Sequence, residues 1–342
     1  MKAIIFIINI IVFSTFALMS SCSKPGTDPS PSGSSGNYVV STMAGSGVEG
    51  SADGTSTTAQ FNKPGAITVD LLGNVYVAQT SNFSIRKITT SGMVSTIAGG
   101  SEGYADGQGT AAQFKTLAGL ATDGQGNIYV ADKTRLRKIT SAGAVTTVAG
   151  SETSGYADGT GSLARFKSLT AVATDLQGNI YAFDNDMDIG SSGTGIHIRK
   201  ITPAGIVSTL VSGGVVSNTI ALDAGSNIYW AGLWDIQKLS LSGVRSKLNG
   251  IGFPTDVNEI ALDAKGNIFY TASDAVAGNY NKIFALSSSG VTTTFAGTGI
   301  KGFKDGKASE AQFDNPSITV DGLGNIYVSD RFNNRIRKIS KN

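Results

Sequence analysis

Short apolar runs and turn-forming polar residues alternate along this chain in a pattern that returns six times. Each copy contains an apolar run, an aspartate, three further residues of which the last is usually glycine, an asparagine, and a second β-rich run. The aspartates of the six copies are Asp70, Asp123, Asp175, Asp223, Asp263 and Asp321. Repeats of strand and turn chemistry, spaced here by about 40 to 58 residues, are typical of propeller blades. The pattern therefore predicts an all-β chain with one blade for each copy.

Each copy predicts four antiparallel strands, the number that makes one blade. In residues 117–150, apolar runs at 117–122, 128–131, 136–139 and 144–149 alternate with turns rich in Gly, Asn and Ser. Gly and Asn tolerate positive φ, and an aspartate that opens such a turn accepts hydrogen bonds from the backbone ahead of it. We expect the aspartates of the six copies to have this structural role.

The two ends of the repeat array complement each other. The last copy ends after its third strand at 336–339, whereas an additional strand at 38–45 precedes the first complete copy. Pairing of 38–45 with 317–340 would close the ring and remove an open sheet edge. We therefore predict a six-bladed β-propeller over residues 38–342, with four-stranded antiparallel blades and the ring closed by the N-terminal strand.

The first residues predict an export signal rather than a part of the fold. Lys2 precedes an apolar run at 3–19, and small residues then lead to Cys22, the one cysteine of the chain. This arrangement resembles a bacterial lipoprotein signal, in which residues 1–21 are removed and Cys22 is acylated; the alternative is an ordinary secretory peptide. Residues 22–37 are rich in Ser, Gly and Pro and predict a flexible linker. Because Ser23 is compatible with sorting to the outer membrane, we predict a lipid-anchored protein of a bacterial cell envelope.

Charge and composition indicate which partners and how many domains to expect. The chain has 27 basic and 25 acidic residues and no polybasic run, so we do not expect it to bind nucleic acid. Forty-four glycines and the absence of a helical period indicate one all-β domain without a second domain. We expect this domain to be monomeric and to contact the membrane through its lipid anchor only.

Three motifs resemble those of the NHL-repeat family. They are G-N-[VI]-Y-V-A-D, N-x-R-I-R-K-I and V-S-T-[IV]-A-G-x-G-x-x-G-x-A-D-G, and they match best near residues 66–99, 118–150 and 317–340. The resemblance covers about residues 38–341 and implies a propeller. It implies less about activity, because NHL propellers include both binding scaffolds and enzymes.

Four long loops share an Asp-Gly pair that is followed by a phenylalanine seven residues after the glycine. In propellers these loops emerge on the same face as those that join second to third strands, and loops of that kind are common binding sites. The candidate ligand-binding residues on them are Tyr104, Asp106, Tyr156, Asp158, Phe303 and Asp305. The alternative is that Asp-Gly forms the turn and the phenylalanine fills the blade. The aromatic residues are the better candidates, because a turn does not require a ring there.

Further candidates lie in the third and fourth copies. Trp230 and Trp234 either pack in a blade or form a stacking platform for a ligand. Asp184, Asp186 and Asp188 are alternate carboxylates followed by Gly190, which resembles the opening of a calcium loop. Their spacing departs from that of an EF-hand, and a solvated acidic loop is the alternative.

Two strand features have a structural interpretation. The Arg-Lys pairs of the third strands predict a solvated, partly packed stripe. Asp132, Asp184 and Asp330 follow or end second strands, where each carboxylate either orients a ligand or bonds the neighbouring loop; we favour the loop.

Several enzyme classes lack the residues that they need. His197 is the one histidine, so a zinc site built from several imidazoles, as in the amidating lyases that share the NHL repeat, is excluded. A calcium-dependent lactonase or esterase of the central channel would need inward carboxylates on several first strands, and Glu259 is the one carboxylate there. The sequence therefore favours a binding or scaffold propeller that recognises an envelope protein or a glycan through its loop-rich face, without a cofactor. The channel hydrolase is the alternative.

Overall fold

Six antiparallel sheets form a closed ring, which confirms the predicted six-bladed β-propeller. The computed structural model describes residues 37–185, 196–213, 217–232, 235–248, 256–273, 281–287 and 290–342. Residues 1–36, which include Cys22, lie outside this part. Within the described ranges there is no helix with the length and apolarity of a membrane span.

Each blade runs from an innermost strand at the channel to an outermost strand at the rim, and its strands follow in that order. Blade 1 contains Ile67–Val69, Val75–Gln79, Ser84–Ile88 and Val94–Gly99. Blade 2 contains Gly119–Thr122, Ile128–Asp132, Arg135–Ile139 and Ala144–Gly150, and blade 3 contains Leu169–Thr174, Ile180–Asn185, Ile196–Ile201 and Ile206–Ser212. Blade 4 contains Ile220–Leu222, Ile228–Ala231, Ile236–Leu239 and Arg245–Leu248, and blade 5 contains Asp256–Leu262, Ile268–Ser273, Ile283–Leu286 and Thr292–Ala296. Blade 6 contains Pro316–Val320, Ile326–Asp330, Arg335–Lys341 and Tyr38–Ala44.

The short elements beyond these strands belong to the long loops. Blades 2, 3 and 6 each gain a fifth, outermost strand of two residues, namely Gly107–Gln108, Gly159–Thr160 and Gly306–Lys307. Five 3-10 turns lie within the described ranges: Thr80–Asn82, Gly109–Ala111, Gly161–Leu163, Ala308–Glu310 and Arg331–Asn333.

The N-terminal strand closes the ring as the sequence predicts. Tyr38–Ala44 pairs antiparallel with Arg335–Lys341, in a register that places Tyr38 opposite Lys341 and Val40 opposite Ile339. Blade 6 is therefore built from both ends of the described chain, and its fourth strand leaves no open edge within the ring.

Two faces of the ring follow from the strand directions. We call the end that carries the turns between first and second and between third and fourth strands the lower face. The upper face carries the connections between second and third strands and those between blades. Asn37 and Asn342 both lie at the lower face, where the Asn342 N–H donates to the Asn37 carbonyl (2.8 Å).

The aspartates of the six copies build the lower turns. In blade 1, Asp70 Oδ1 accepts from the N–H of Leu72 and of Asn74 (2.9 and 2.8 Å), and Oδ2 accepts from Asn74 Nδ2 (2.9 Å) and the Tyr76 hydroxyl (3.0 Å). The backbone and asparagine bonds recur in all six blades. This confirms the structural role predicted for these residues.

Apolar side chains fill the six spaces between neighbouring blades. Six separate clusters of buried residues occur, and each combines residues of two adjacent sheets. Phe61, Phe114, Phe166 and Phe313 are fully buried in four of them. These are the phenylalanines that follow the Asp-Gly pairs, so each long loop is fixed by a ring that completes the core between two blades.

Four arginines of the third strands are fully buried, which shows that the expectation of a solvated stripe is wrong for them. They are Arg86, Arg137, Arg199 and Arg337. In blade 2, Arg137 Nη1 donates to Asp132 Oδ2 (2.9 Å), and Nη2 donates to Asp106 Oδ1 (2.7 Å). The guanidinium also lies 5.2 Å from the centroid of Phe114. We call this arrangement the arginine clamp.

The clamp occurs only with the long loop. Blades 1, 2, 3 and 6 have both. In blades 4 and 5, Gln237 and Phe284 stand opposite the same second-strand position, and no Asp-Gly loop precedes these blades. The lysines beside the arginines behave as expected and are half-buried, with Lys138 Nζ 5.9 Å from the Tyr129 centroid.

Replacement of the clamp should destabilise the domain strongly. Arg137→Met leaves the fully buried Asp132 without its cation, and breaking a buried pair in this way costs about 3–5 kcal/mol. The free energy of unfolding, measured by urea denaturation, should fall by that amount. The matched control is Lys138→Met, the next residue of the strand, which should change it by less than about 1 kcal/mol. Equal stability of Arg137→Met and the parent would contradict the role of the clamp.

Candidate binding surface

The loop-rich upper face carries the exposed aromatic side chains that the sequence singles out. Tyr156 and Phe303 are 39% and 43% exposed, and Tyr104 is half-buried. All three precede the Asp of their Asp-Gly pair by two residues, and they belong to the loops that lead into blades 3, 6 and 2. They lie over the upper ends of third strands, toward the outer rim rather than in the central channel.

Each ring contacts the first or second residue of a third strand, at one equivalent position. The Arg135 guanidinium lies 4.3 Å from the Tyr104 centroid, and the His197 ring lies 4.2 Å from that of Tyr156. The Arg335 guanidinium lies 3.9 Å from the centroid of Phe303. A cation over the aromatic face stabilises Tyr104 and Phe303, and a contact between two rings stabilises Tyr156. These rings are therefore held in place while part of their surface stays exposed.

Blade 1 shows that the aromatic residue and its partner vary together. Its loop and third strand carry Ser51 and Ser84 at the two positions. Since blade 1 keeps its own arginine clamp without this pair, the fold does not require the ring. The aromatic residue is therefore an addition to three loops rather than a part of the turn.

The three candidate aspartates of these loops have several partners inside the protein. Asp106 accepts from Arg137 and from the N–H and hydroxyl of Thr147, both at 3.0 Å. Asp158 accepts from Arg199 and Thr209 in the same way, and Asp305 accepts from Arg337 and Thr42. The contacts place these carboxylates at the outer edge of their blades.

Asp184 and the two tryptophans lie elsewhere. Asp184 is fully buried and accepts from the N–H groups of Lys167 and Ser168 and from Arg199, and burial raises its pKa to about 6 against the effect of these bonds. Trp230 is 1% exposed in the core between blades 3 and 4, with the Phe183 centroid at 6.3 Å and Arg245 at 5.2 Å, so its ring has no open face. Asp186, Asp188 and Trp234 lie outside the described residues.

The alternative that Asp132, Asp184 and Asp330 bond the neighbouring loop is confirmed. Asp132 Oδ1 accepts from the N–H of Lys115 and Thr116 (2.8 and 2.7 Å), and Asp330 Oδ1 accepts from that of Asp314 (2.8 Å). Among the described side chains, no group of three or more His, Cys, Asp or Glu is arranged to hold a metal ion.

Sequence reasoning missed four residues of the upper face. These are Arg135, His197 and Arg335, which support the rings, and Phe332, which is 46% exposed with Lys301 5.6 Å from its centroid. The signal for the first three is present in the sequence: each lies two residues before the buried arginine of its third strand. Phe332 lies in a 3-10 turn and has no repeat signal.

The central channel holds a second candidate site. First strands of all six blades line a cavity of about 210 Å³, mostly with small apolar side chains and threonines. Glu259 is the one titratable residue among those that line it, and the Ser317 hydroxyl donates to Glu259 Oε2 (3.0 Å). Burial raises the Glu259 pKa from 4.5 to about 7, against hydrogen bonds from Ser317 and Thr219 that lower it. A carboxyl with this pKa exchanges its proton near neutral pH.

Solved structures with a similar fold are bacterial β-propellers. A protein of unknown function from Bacteroides thetaiotaomicron aligns with a TM-score of 0.67 and 20% identity over 89% of this chain and 76% of that one. An auxiliary nutrient binding protein from Bacteroides ovatus has a TM-score of 0.65 and 15% identity, with 90% and 77% coverage. A gluconolactonase from Xanthomonas campestris has a TM-score of 0.59 and 9% identity, with 89% coverage of both chains.

No protein-family model matches the chain, and no curated protein matches it either. At these identities the structural likeness shows a shared fold. The upper face and the channel of this chain therefore supply the observations from which its function is inferred.

The Glu259 carboxyl should make stability depend on pH. Its pKa is higher in the folded state than in the unfolded state, so its contribution is full at low pH and is lost as the pH rises through about 7. Between about pH 5 and about pH 8 the parent should lose up to about 3 kcal/mol more unfolding free energy than Glu259→Gln. Urea denaturation at both values measures this difference. The exposed Glu310→Gln serves as control and should follow the parent; identical pH profiles of parent and Glu259→Gln would contradict the assignment.

Proposed function

We propose that this protein is a binding propeller that recognises a glycan or an envelope protein through its upper face. The observation that carries the proposal is the set of aromatic side chains there, of which Tyr156 and Phe303 keep 39% and 43% of their surface exposed. Arg335 holds the ring of Phe303, and the His197 ring contacts that of Tyr156. A ring held in this way presents a rigid apolar surface, and such surfaces bind with little loss of conformational entropy.

The chemistry beside the rings favours a glycan. Arg135 donates to Glu152 Oε1 (3.0 Å), and His197 Nδ1 lies 3.0 Å from the Ser212 hydroxyl. Polar groups around a flat apolar surface suit the face of a sugar ring together with its hydroxyls. The auxiliary nutrient binding protein with the same fold agrees with ligand binding as the general function.

The cellular setting is part of the proposal. Residues 1–21 act as a lipoprotein signal, Cys22 carries the lipid, and 22–37 form the linker of an NHL-type propeller in a bacterial cell envelope, at the outer membrane. The chain is a monomer in this proposal and needs no cofactor for binding.

A channel hydrolase is the second candidate. Glu259, whose pKa of about 7 suits a general base, would activate water for attack on a lactone or ester in the cavity. The gluconolactonase neighbour agrees with this hypothesis. A calcium site at Asp184, Asp186 and Asp188 is a separate hypothesis from the channel hydrolase, and the hydrogen bonds that Asp184 accepts inside the protein oppose it.

The binding proposal predicts loss of affinity when the exposed rings are removed. Purified full-length protein is applied to a glycan array, and the same protein is crosslinked in the cells that produce it, with captured material identified by mass spectrometry. Tyr156→Ala and Phe303→Ala should each weaken binding about tenfold, because exposed aromatic anchors dominate such interfaces. Tyr104→Ala should act in the same direction.

Met93→Ala is the matched control, since Met93 is 50% exposed on a lower turn; it should bind like the parent. A sugar retained on the array supports a glycan ligand, and a reproducible captured protein supports a protein ligand. Binding that none of the three ring substitutions weakens would contradict recognition through the upper face.

The second candidate predicts a different pattern. Hydrolysis of lactones or esters by the parent should fall at least about 100-fold in Glu259→Gln, the size of a general-base contribution. Tyr156→Ala should leave it unchanged, and a calcium chelator should abolish it if calcium takes part. Hydrolysis equal in the parent and Glu259→Gln would contradict a channel mechanism.

A further inference from the structure

The lower face carries a set of apolar side chains exposed at the tips of its turns. Eight of the sixteen exposed large hydrophobic residues of the described chain lie on these turns, and a ninth, Ile206, begins the strand that follows one of them. The most exposed are Leu71, Leu72, Leu176, Leu241 and Leu323, at 79%, 80%, 82%, 70% and 91%. They belong to blades 1, 3, 4 and 6, so exposed apolar side chains are distributed over one face of the ring.

The turns themselves do not require these leucines. In the turns between first and second strands, the residues that complete the turn are the aspartate, the asparagine and usually a glycine, and the leucines occupy the one or two positions between them. Leu241 lies instead in a turn between third and fourth strands, where the Ser240 hydroxyl accepts from the N–H of Val244. Other blades carry Gln125 or Lys265 at the second of these positions, and Gly124 or Ala264 at the first, in the same turn geometry. The turn geometry therefore does not depend on a leucine at either position.

The same turns are depleted in charge. Apart from the six turn aspartates, whose oxygens accept bonds within their own turns, Lys265 is the one charged residue in the described lower turns between first and second strands, and those between third and fourth strands have none. The upper loops differ, with Glu49, Glu102 and Glu152 among their exposed residues. The lower turns thus carry less charge than the upper loops, and the exposed Arg245 and Lys341 lie beside them at the lower ends of their strands.

The chain reaches the domain at this lower face. Tyr38 begins the closing strand there, opposite Lys341. In the proposed function, Cys22 is the lipidated residue, 15 positions before Asn37. A Ser- and Gly-rich linker of that length spans about 20 Å on average, so the lower face stays close to the bilayer.

We infer that the lower face docks on the membrane interface through its leucine turns, in addition to the lipid anchor. Leucine is a residue type that amphipathic membrane-binding surfaces insert at the boundary between headgroups and acyl chains. The inference rests on the lipid anchor of the proposed function and not on the upper-face ligand. It replaces the expectation that the anchor alone contacts the membrane.

The test places a single fluorescent label on the full-length lipidated protein in vesicles of phosphatidylethanolamine and phosphatidylglycerol. Because Cys22 is the one natural cysteine and is blocked when acylated, Leu323→Cys introduces a unique thiol for a polarity-sensitive dye. Spin-labelled lipid should reduce the fluorescence of this label by roughly twofold or more, since the turn tip lies in the interface. The control, Thr153→Cys, lies exposed on the upper face and should be unaffected.

A second variant keeps the fold and removes the contact. Leu71, Leu72, Leu176 and Leu323 are all replaced by Gln, and quenching is read from a label at Gln125→Cys. Blade 2 carries Gln125 at the turn position of Leu72 and Leu323. The melting temperature should stay the same, and the quenching should fall toward that at residue 153.

Two outcomes would overturn the docking inference: no quenching at residue 323, or equal quenching at 153 and 323. If the unquenched label at 323 is also blue-shifted, protein rather than lipid covers the leucines. Reaction of the dye with Cys22 of the parent would instead show that the lipid anchor, and with it that part of the proposed function, is wrong.

Discussion

A buried guanidinium holds each long upper loop of this propeller against its blade. The loop crosses from the outer strand of one blade to the next and turns down over its outer edge, where the aspartate of the Asp-Gly pair meets the arginine and a threonine of the fourth strand. Without this clamp, few contacts would hold the loop against the outer edge of the blade. The exposed rings and the short fifth strands depend on the path that the clamp imposes.

A buried ion pair contributes little net stability, because both groups lose their hydration. Its value here is positional: the planar guanidinium bonds two carboxylates in blades 2, 3 and 6, and Asp53 and Gln79 in blade 1. One group thus fixes the loop, the end of the second strand and the third strand relative to one another. Blades 4 and 5 lack the loop and have no such arginine, so part of the upper rim is left without these structures.

The sequence predicts the ring because its information is local. The D-x-x-G-N turn is completed by atoms within four residues of the aspartate, and the unpaired strands at both ends point to the closure. Buried arginines were not predictable in this way. A strand with an Arg-Lys pair has the composition of a solvated surface. The arginine of the pair is buried only because a loop from earlier in the chain turns down over the blade and covers it.

The candidate site shows the same limit. Tyr104 and Arg135 lie 31 residues apart, and their contact depends on how the loop packs on the blade. Tryptophan is a residue type common in binding sites, but the neighbouring blade covers the ring of Trp230. Glu259 was visible in the sequence as the one carboxylate of the first strands, whereas its raised pKa results from the apolar walls that six separate segments build around it.

The closing strand has a mechanical consequence. Tyr38–Ala44 runs from the lower toward the upper face, and its hydrogen bonds to Arg335–Lys341 lie across that direction. Under the proposed tether, a pull between the membrane and a ligand on the upper face acts along this strand. All of the hydrogen bonds then share the load in shear, and they do not open one after another. The strand pair that closes the ring is therefore also the pair that resists this pull.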